Sequence, residues 1–372
     1  MNVYQCLHTY SPLVSQFERT FNISNDVDFA ALQRLIIQYG FASTYILEPA
    51  LQDKPEDVFF TLWDYRRLQW KWADEHGLKS RNLSEIKLGQ IEEYRPDVFY
   101  NFSAFCDGNF IKRLGKRKDR KDIYWNGIIQ PEPMTFPEYE GQISLHRPHV
   151  EHWQRRGLAA CELQPGIPSA WAELADTTRL IDVLFYGQYC RGMFDNRNRL
   201  VDELLRYKRE TGRDIRCHLT YTEQCPTIFR IPRLPWTRIR APIVTFPSKL
   251  VRQESLPPLY GDTLYRTIAQ SRIVVNAYTN DNRDYKSNMR LYEAIGLGAF
   301  LISEEGAYPD GFEPGVDFYT YRDANELITQ IERVLSDWPK HAAMAQRARE
   351  KITGLYSKAR QWNDFVSFAE SL

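Results

Sequence analysis

The chain has 372 residues, of which 43% are hydrophobic and 26% charged. That is the composition of a packed globular protein, and the length suggests two domains. Its 48 basic and 48 acidic residues cancel, which argues against strong sequence-independent attraction to nucleic acid or to an anionic membrane. No apolar run approaches the roughly 20 residues of a membrane span. The opening stretch, MNVYQCLHTYSPLVSQFERTF, lacks the basic region and apolar core of a signal peptide. Six cysteines (Cys6, Cys106, Cys161, Cys190, Cys217, Cys225) show no C-x-x-C spacing. They read as free thiols in a reducing, cytoplasmic setting.

In chain order, Val3–Leu7 reads as a short apolar strand, with His8, Thr9 and Tyr10 at its C-terminal end. In an open α/β sheet that end is the ligand edge. His8 is therefore a candidate site residue, with a solvated loop histidine as the alternative. Asn25–Tyr39 has helical periodicity, with Phe29, Leu32, Leu35 and Ile36 on one face and Gly40 as its stop. A second helix is expected over Ala42–Leu51. Asp57–Leu62 is a buried strand that runs into a helix closed by Gly77. Within that helix Trp70 and Trp72 point to different sides. One packs in the core and the other against a neighbouring element. Ser84–Tyr94 is a further helix, capped by Ser84 or Asn82, and Asp97–Asn101 is the next strand.

Lys112–Lys121 holds seven basic residues in ten. Such a run meets phosphates of a lipid-linked acceptor or of nucleic acid, or is simply a solvated helix end and loop. Asp122–Ile129 and Gly141–Leu145 are strands, the second ending at His146. His146, His149 and His152 are three apart, but Pro148 breaks a single helical face, and no cysteine or carboxylate completes a zinc ligand set. No bound metal is expected. His146, at a strand end, is the second candidate histidine. Gln164–Ser169 (QPGIPS) reads as a linker.

Ile181–Tyr186 opens the second half, with Gly187 at the turn and a helix over Asn196–Thr211. Strand, glycine, loop and helix in this order make a phosphate-facing edge. Arg191 in that loop is a candidate partner for a diphosphate. Asp214–Leu219 and Ala241–Phe246 are expected strands, with an irregular stretch between. The helix Tyr260–Ala269, the strand Arg272–Ala277 and the polar loop Thr279–Ser287 follow. Arg290–Gly296 reads as a short helix and Ala299–Ile302 as a buried strand, joined tightly at Gly296 and Gly298. Asn288 is a natural N-cap, and the amides beyond it, with Ser287 beside them, suit a diphosphate. Glu293, about one turn in, is placed to accept hydrogen bonds from ribose hydroxyls. Gly315–Tyr321 is the last strand, and helices follow over Asp323–Leu335, Lys340–Ile352 and Lys358–Leu372.

The stretch NMRLYEAIGLGAFLISEEG, with PPLYGDTLYRTIAQSRIVVNAY before it and FEPGVDFYTYRDANELITQI after it, resembles the C-terminal domain of bacterial glycosyltransferases of the GT-B fold. More narrowly it resembles the "glycosyl transferases group 1" type that includes spore-maturation CgeB-like proteins. Arg290, Tyr292, Glu293, Ala294, Gly296, Gly298 and Ala299 carry that pattern. LQWKWADEHG and QIEEYRPDVFY extend the resemblance, more weakly, into the first half. It implies an α/β protein of GT-B architecture, with two Rossmann-like domains whose parallel sheets face each other across a cleft. Residues 1–166 would be the acceptor domain and 167–352 the donor domain. Residues 353–372 would be a terminal helix crossing back to the first.

The resemblance further implies a hexosyl- or related transferase moving sugar from a nucleotide-sugar donor to an acceptor hydroxyl on a glycan, a lipid-linked sugar or a protein. Neither cofactor nor metal would be required. Gly187, Arg191, Ser287, Asn288, Arg290 and Glu293 would bind the donor. His8 and His146 are the candidate catalytic bases that an inverting reaction needs. One departure stands out: many retaining members carry an earlier glutamate where this chain has Tyr285, with Asp284 adjacent. Two other readings remain open. One is a phage-type glycosyltransferase acting on hydroxymethylated DNA bases, with residues 112–121 tracking the DNA backbone. The other is a non-catalytic sugar-nucleotide or glycan binding module.

Overall fold

The computed structural model describes residues 1–102, 108–127, 133–190, 194–221, 225–230, 238–243, 247–278 and 284–372. Six strands, β1 (Val3–Leu7), β2 (Val58–Leu62), β3 (Val98–Phe102), β4 (Lys121–Trp125), β5 (Gly141–Ser144) and β6 (Ala160–Glu162), form one parallel sheet in the order β2-β1-β3-β4-β5-β6. The strands β7 (Ile181–Tyr189) and β8 (Ile215–Tyr221) begin a second sheet, and β9 (Cys225–Arg230) pairs antiparallel with β10 (Arg238–Ile243) in a separate ribbon. With β11 (Ser271–Asn276), β12 (Phe300–Glu304) and β13 (Tyr319–Tyr321), the second sheet is also parallel, in the order β13-β12-β11-β7-β8.

Both sheets are covered by helices on both faces, which is why β1 and β3 are buried along their whole length. The strand order reverses between β1 and β3 in one sheet and between β7 and β11 in the other. Such switch points open a crevice beyond the C-terminal ends of the strands. Here two of them face each other.

The last helix, Lys358–Glu370, belongs to the core of the first sheet. Phe365 and Ala369 are buried there, and the Phe365 ring lies 4.9 Å from that of Tyr100. Lys358 Nζ donates to the Ile46 carbonyl at 2.7 Å. At Gly141 a Cβ would stand 2.8 Å from Leu372 and 3.0 Å from Phe368, so the close approach of helix to strand needs the missing side chain.

Several elements differ from the sequence expectation. Ala42–Leu51 is not one helix. Gly40 and Ala42 both take positive φ, and only Glu48–Leu51, restarted at Pro49, is helical. A helix over Ser11–Phe21 was not expected, because only Leu13 and Phe17 give it a buried face. Pro148 does not interrupt a helix; it sits in the first turn of Arg147–Arg155, where its missing N–H costs nothing. Strand β7 continues to Tyr189, so Gly187 is paired with Leu219 within the ladder and is not in a turn. The stretch expected to be irregular contains the β9–β10 ribbon; β10 includes residues 241–243 of the expected strand Ala241–Phe246, whose last three residues lie outside the described ones. Trp72 is the buried tryptophan of its helix and Trp70 the exposed one. No described helix is long and apolar enough to cross a membrane.

Candidate active site

A cavity of about 540 Å³ lies between the two sheet edges. The first sheet reaches it through Leu7 and His8 after β1, Phe102 at the end of β3, Trp125 at the end of β4, and Leu145 after β5. The second reaches it through Tyr186 on β7, Tyr278 after β11, and the first turns of two helices, Asp195–Thr211 and Met289–Gly296.

The Met289–Gly296 helix begins as its sequence dictates. The Asn288 side chain accepts from the Leu291 N–H at 3.3 Å, and the earlier amides have no carbonyl one turn back to bond. Arg290 and Glu293 are three residues apart and share a face. That face looks toward Tyr186. Arg290 Nη2 donates to the Tyr186 carbonyl at 2.6 Å, and the guanidinium lies 4.6 Å from the Tyr186 ring. The Tyr186 hydroxyl donates to Glu293 Oε2 at 2.6 Å. Arg290 Nη1 also donates to Asn276 Oδ1 at 2.7 Å, and the Asn276 and Asn288 amides bond each other. Asn276, the last residue of β11, thus ties strand end, helix cap and arginine together. Burial raises the Glu293 carboxyl above its ordinary value, opposed by the Tyr186 hydrogen bond and the Arg290 charge.

Arg197 was not singled out from the sequence, although its place in the first turn of the helix after β7 was a signal for it. It is buried, donates to the Ala277 carbonyl at 3.1 Å and lies against Phe194. Burial, then the charge of Arg290, pushes it down to about 10, so it stays cationic at neutral pH. Two like charges held close at one cavity wall attract an anion that relieves their repulsion. Arg191, the arginine proposed from the sequence, lies outside the described residues, as does most of the Thr279–Ser287 loop.

The other candidates separate. Ser287 lines the cavity, and its hydroxyl donates to Gln164 Oε1 at 2.8 Å. Gly187 is off the lining but close behind it: a Cβ there would stand 3.2 Å from Arg290 Nη2. His8 lines the cavity, with Nε2 3.2 Å from the Tyr10 hydroxyl. Burial lowers its pKa, opposed by Asp64 and by a hydrogen bond to the Phe102 backbone. His146 is outside the lining, packed against His149 and Tyr285 with ring centroids 4.3 and 5.5 Å away. Tyr285 is outside the cavity lining and donates to Glu162 at 2.8 Å. Gln164 accepts from both Ser287 and Tyr292. The run Lys112–Lys121 also lies away from the cavity. Within it Arg120 is buried against Asp122, and Arg117 pairs with Asp119. No group of three potential metal ligands occurs among the described residues.

A glycosyl transferase-like family model matches residues 197–367. That match covers 171 of the 372 residues, just under half of the chain. Solved structures extend the likeness to the whole chain. HepE from Anabaena, in complex with UDP-glucose, has a TM-score of 0.56 at 11% identity, over 100% of both chains. A glycosyltransferase from Rickettsia africae has a TM-score of 0.54 at 11% identity, over 100% of this chain and 98% of its own. TarM from S. aureus has a TM-score of 0.52 at 11% identity, over 77% of this chain. The match spans 59% of the TarM chain, under two thirds of its length. A search of curated proteins finds no match. At such identities the likeness is one of fold, and the fold is GT-B. The residues around Asn288 and Glu293 lie inside the matched domain, and His8 lies outside it.

Proposed function

We propose that the protein transfers a glycosyl group from a nucleotide sugar to an acceptor hydroxyl. The observation that carries this reading is the pair Arg197 and Arg290 beside the buried Glu293, at the switch point of the second sheet. The donor diphosphate lies against the two guanidiniums and the first amides of the Met289–Gly296 helix. Glu293, held by Tyr186, accepts from the ribose hydroxyls. As the bond from the anomeric carbon to the diphosphate breaks, the leaving group gains negative charge, and the fixed arginines stabilise it. They supply the charge a metal ion would bring, so turnover is expected to survive EDTA.

His8 faces the donor wall from the end of β1. Its burial keeps the imidazole neutral at pH 7, the state that accepts a proton from the acceptor hydroxyl. His146, away from the cavity lining, has no such role in this reading. The bound nucleotide of HepE makes UDP and UDP-sugars the first donors to try. Thermal unfolding with a panel of nucleoside diphosphates tests the proposal. A ligand at 100 times its Kd adds about 2.7 kcal/mol of stability. At least one nucleotide should raise the midpoint of the wild type and not that of Arg197→Ala. No shift with any nucleotide at millimolar concentration would sink the reading.

A further inference from the structure

The side chain of Gln164 ties the two walls of the cavity together. Leu145 lines the cavity from the first sheet, the acceptor wall, and Ser287 lines it from the second, the donor wall. Gln164 Nε2 donates to the Leu145 carbonyl at 2.9 Å and to Glu162 Oε1 at 2.6 Å. Its Oε1 accepts from the hydroxyls of Ser287 and Tyr292, both at 2.8 Å. A carbonyl and a carboxylate only accept, so the NH2 faces Leu145 and Glu162 and the oxygen faces the two hydroxyls. Glu162 is held in turn by Arg147 Nε at 2.7 Å and by the Tyr285 hydroxyl at 2.8 Å. The backbone of Gln164 is fixed as well, its carbonyl accepting from Gln361 Nε2 at 3.0 Å.

An amide offers two N–H donors and two acceptor sites, and here all four are spent. A carboxylate of the same shape lacks the donors, and an apolar chain of the same length lacks both. Tyr292 belongs to the helix that carries Arg290 and Glu293, so the tie reaches the donor side of the cavity. Other hydrogen bonds between the two halves of the chain join residues outside the lining. Ser43 Oγ donates to the Tyr265 hydroxyl at 3.1 Å, and Gln16 Oε1 accepts from the Tyr260 N–H at 2.9 Å. Group transfer needs its reacting atoms about 3–3.5 Å apart, and a misplacement of about 1 Å costs on the order of a hundredfold in rate. Resting on the transferase reading above, we infer that Gln164 is a positioning residue for transfer. It fixes the separation of the two walls, and with it the distance from the acceptor hydroxyl to the anomeric carbon. Gln164 itself is outside the cavity lining and acts through Leu145, Ser287 and Tyr292.

Gln164→Met, which keeps the length, and Gln164→Glu, which keeps the shape and the accepting oxygen, test this in the full chain beside Ser43→Ala. UDP affinity by calorimetry should be unchanged in all three, because Arg290 and Glu293 are held by Asn276 and Tyr186 of their own sheet. With UDP-glucose as donor, kcat for release of UDP should fall roughly ten- to hundredfold in both Gln164 variants, with KM unchanged. Ser43→Ala should keep the turnover of the wild type. Hydrogen exchange reads the tie without a substrate: in Gln164→Met the segments 141–150 and 287–297 should both exchange faster. Full turnover in Gln164→Glu overturns the inference. So does an equal loss in Ser43→Ala, a loss carried by KM and UDP affinity, or unchanged exchange in either segment. The transferase reading fails separately: UDP would then not bind the wild type, while both segments would still respond to Gln164→Met.

Discussion

The donor wall and the acceptor wall meet at one cavity but are held together by different physics. On the second sheet a chain of hydrogen bonds links the polar groups at the start of the Met289–Gly296 helix. Arg290 bonds Asn276 and the Tyr186 carbonyl, Tyr186 bonds Glu293, and Asn288 bonds both Asn276 and its own helix. Removing one member leaves others buried without partners, so loss spreads. On the first sheet Phe102, Trp125 and Tyr45 touch one another through their rings, as Phe41 does Tyr10. Truncating one of them costs only its own contacts. A charge needs fixed partners, whereas ring packing needs shape and area.

The comparison is broken most severely at His8, the one residue of the aromatic wall given a proton to carry. His8→Gln should lower turnover by about 10²–10⁴. In the wild type, activity should fall as pH drops through the lowered His8 pKa, below 6.5. The variant's pH profile should lose that inflection. The same group sets a stability trend. The unfolded imidazole takes its proton at a higher pH than the folded one, so its contribution is complete above 6.5 and fades in acid. Chemical denaturation against pH reads it.

Arg290→Ala comes next. Loss of a preorganised charge donor should cost about 10²–10³ in turnover. Arg290→Lys should not rescue it, because a single ammonium cannot reach Asn276 and the Tyr186 carbonyl together. Steady-state kinetics of donor consumption would decide, and full rescue by lysine would refute the two-point role.

Glu293→Gln sharpens the contrast in a different way. Burial raises this carboxyl, so the folded protein binds its proton more tightly than the unfolded chain does. The stabilising contribution is present below about 4.5 and is lost as pH rises through the raised value. The variant should therefore melt higher at pH 7, by about 2–4 °C for each kcal/mol recovered, with the gain vanishing in acid. Nucleotide affinity should fall at the same time. Stability and binding moving together would contradict the proposed role of Glu293. The smallest effect is expected between the walls. Tyr285→Phe removes one hydrogen bond to Glu162 and should cost about 1 kcal/mol with little change in nucleotide affinity.

Much of this molecule was legible in the chain. Continuous apolar runs such as VFYNF announced doubly covered parallel strands, and Asn288 announced the start of a helix whose Arg290 and Glu293 point one way. These are local matters: side-chain period, capping and turn geometry act within a few residues. The order of strands and helices then permits few topologies. What the chain did not disclose is which strand ends meet. Arg197 was not singled out, because only the packing of the helix after β7 brings its guanidinium to the cavity wall. Tyr186 and Glu293 are 107 residues apart. Tyr285 looked like a replaced acid, yet its hydroxyl bonds Glu162 at the edge strand of the first sheet. The aromatic wall collects side chains from Tyr10 to Trp125 that share no period. Local interactions determine elements, but a site is a set of distances between elements, and those exist only once two buried sheets have closed on each other.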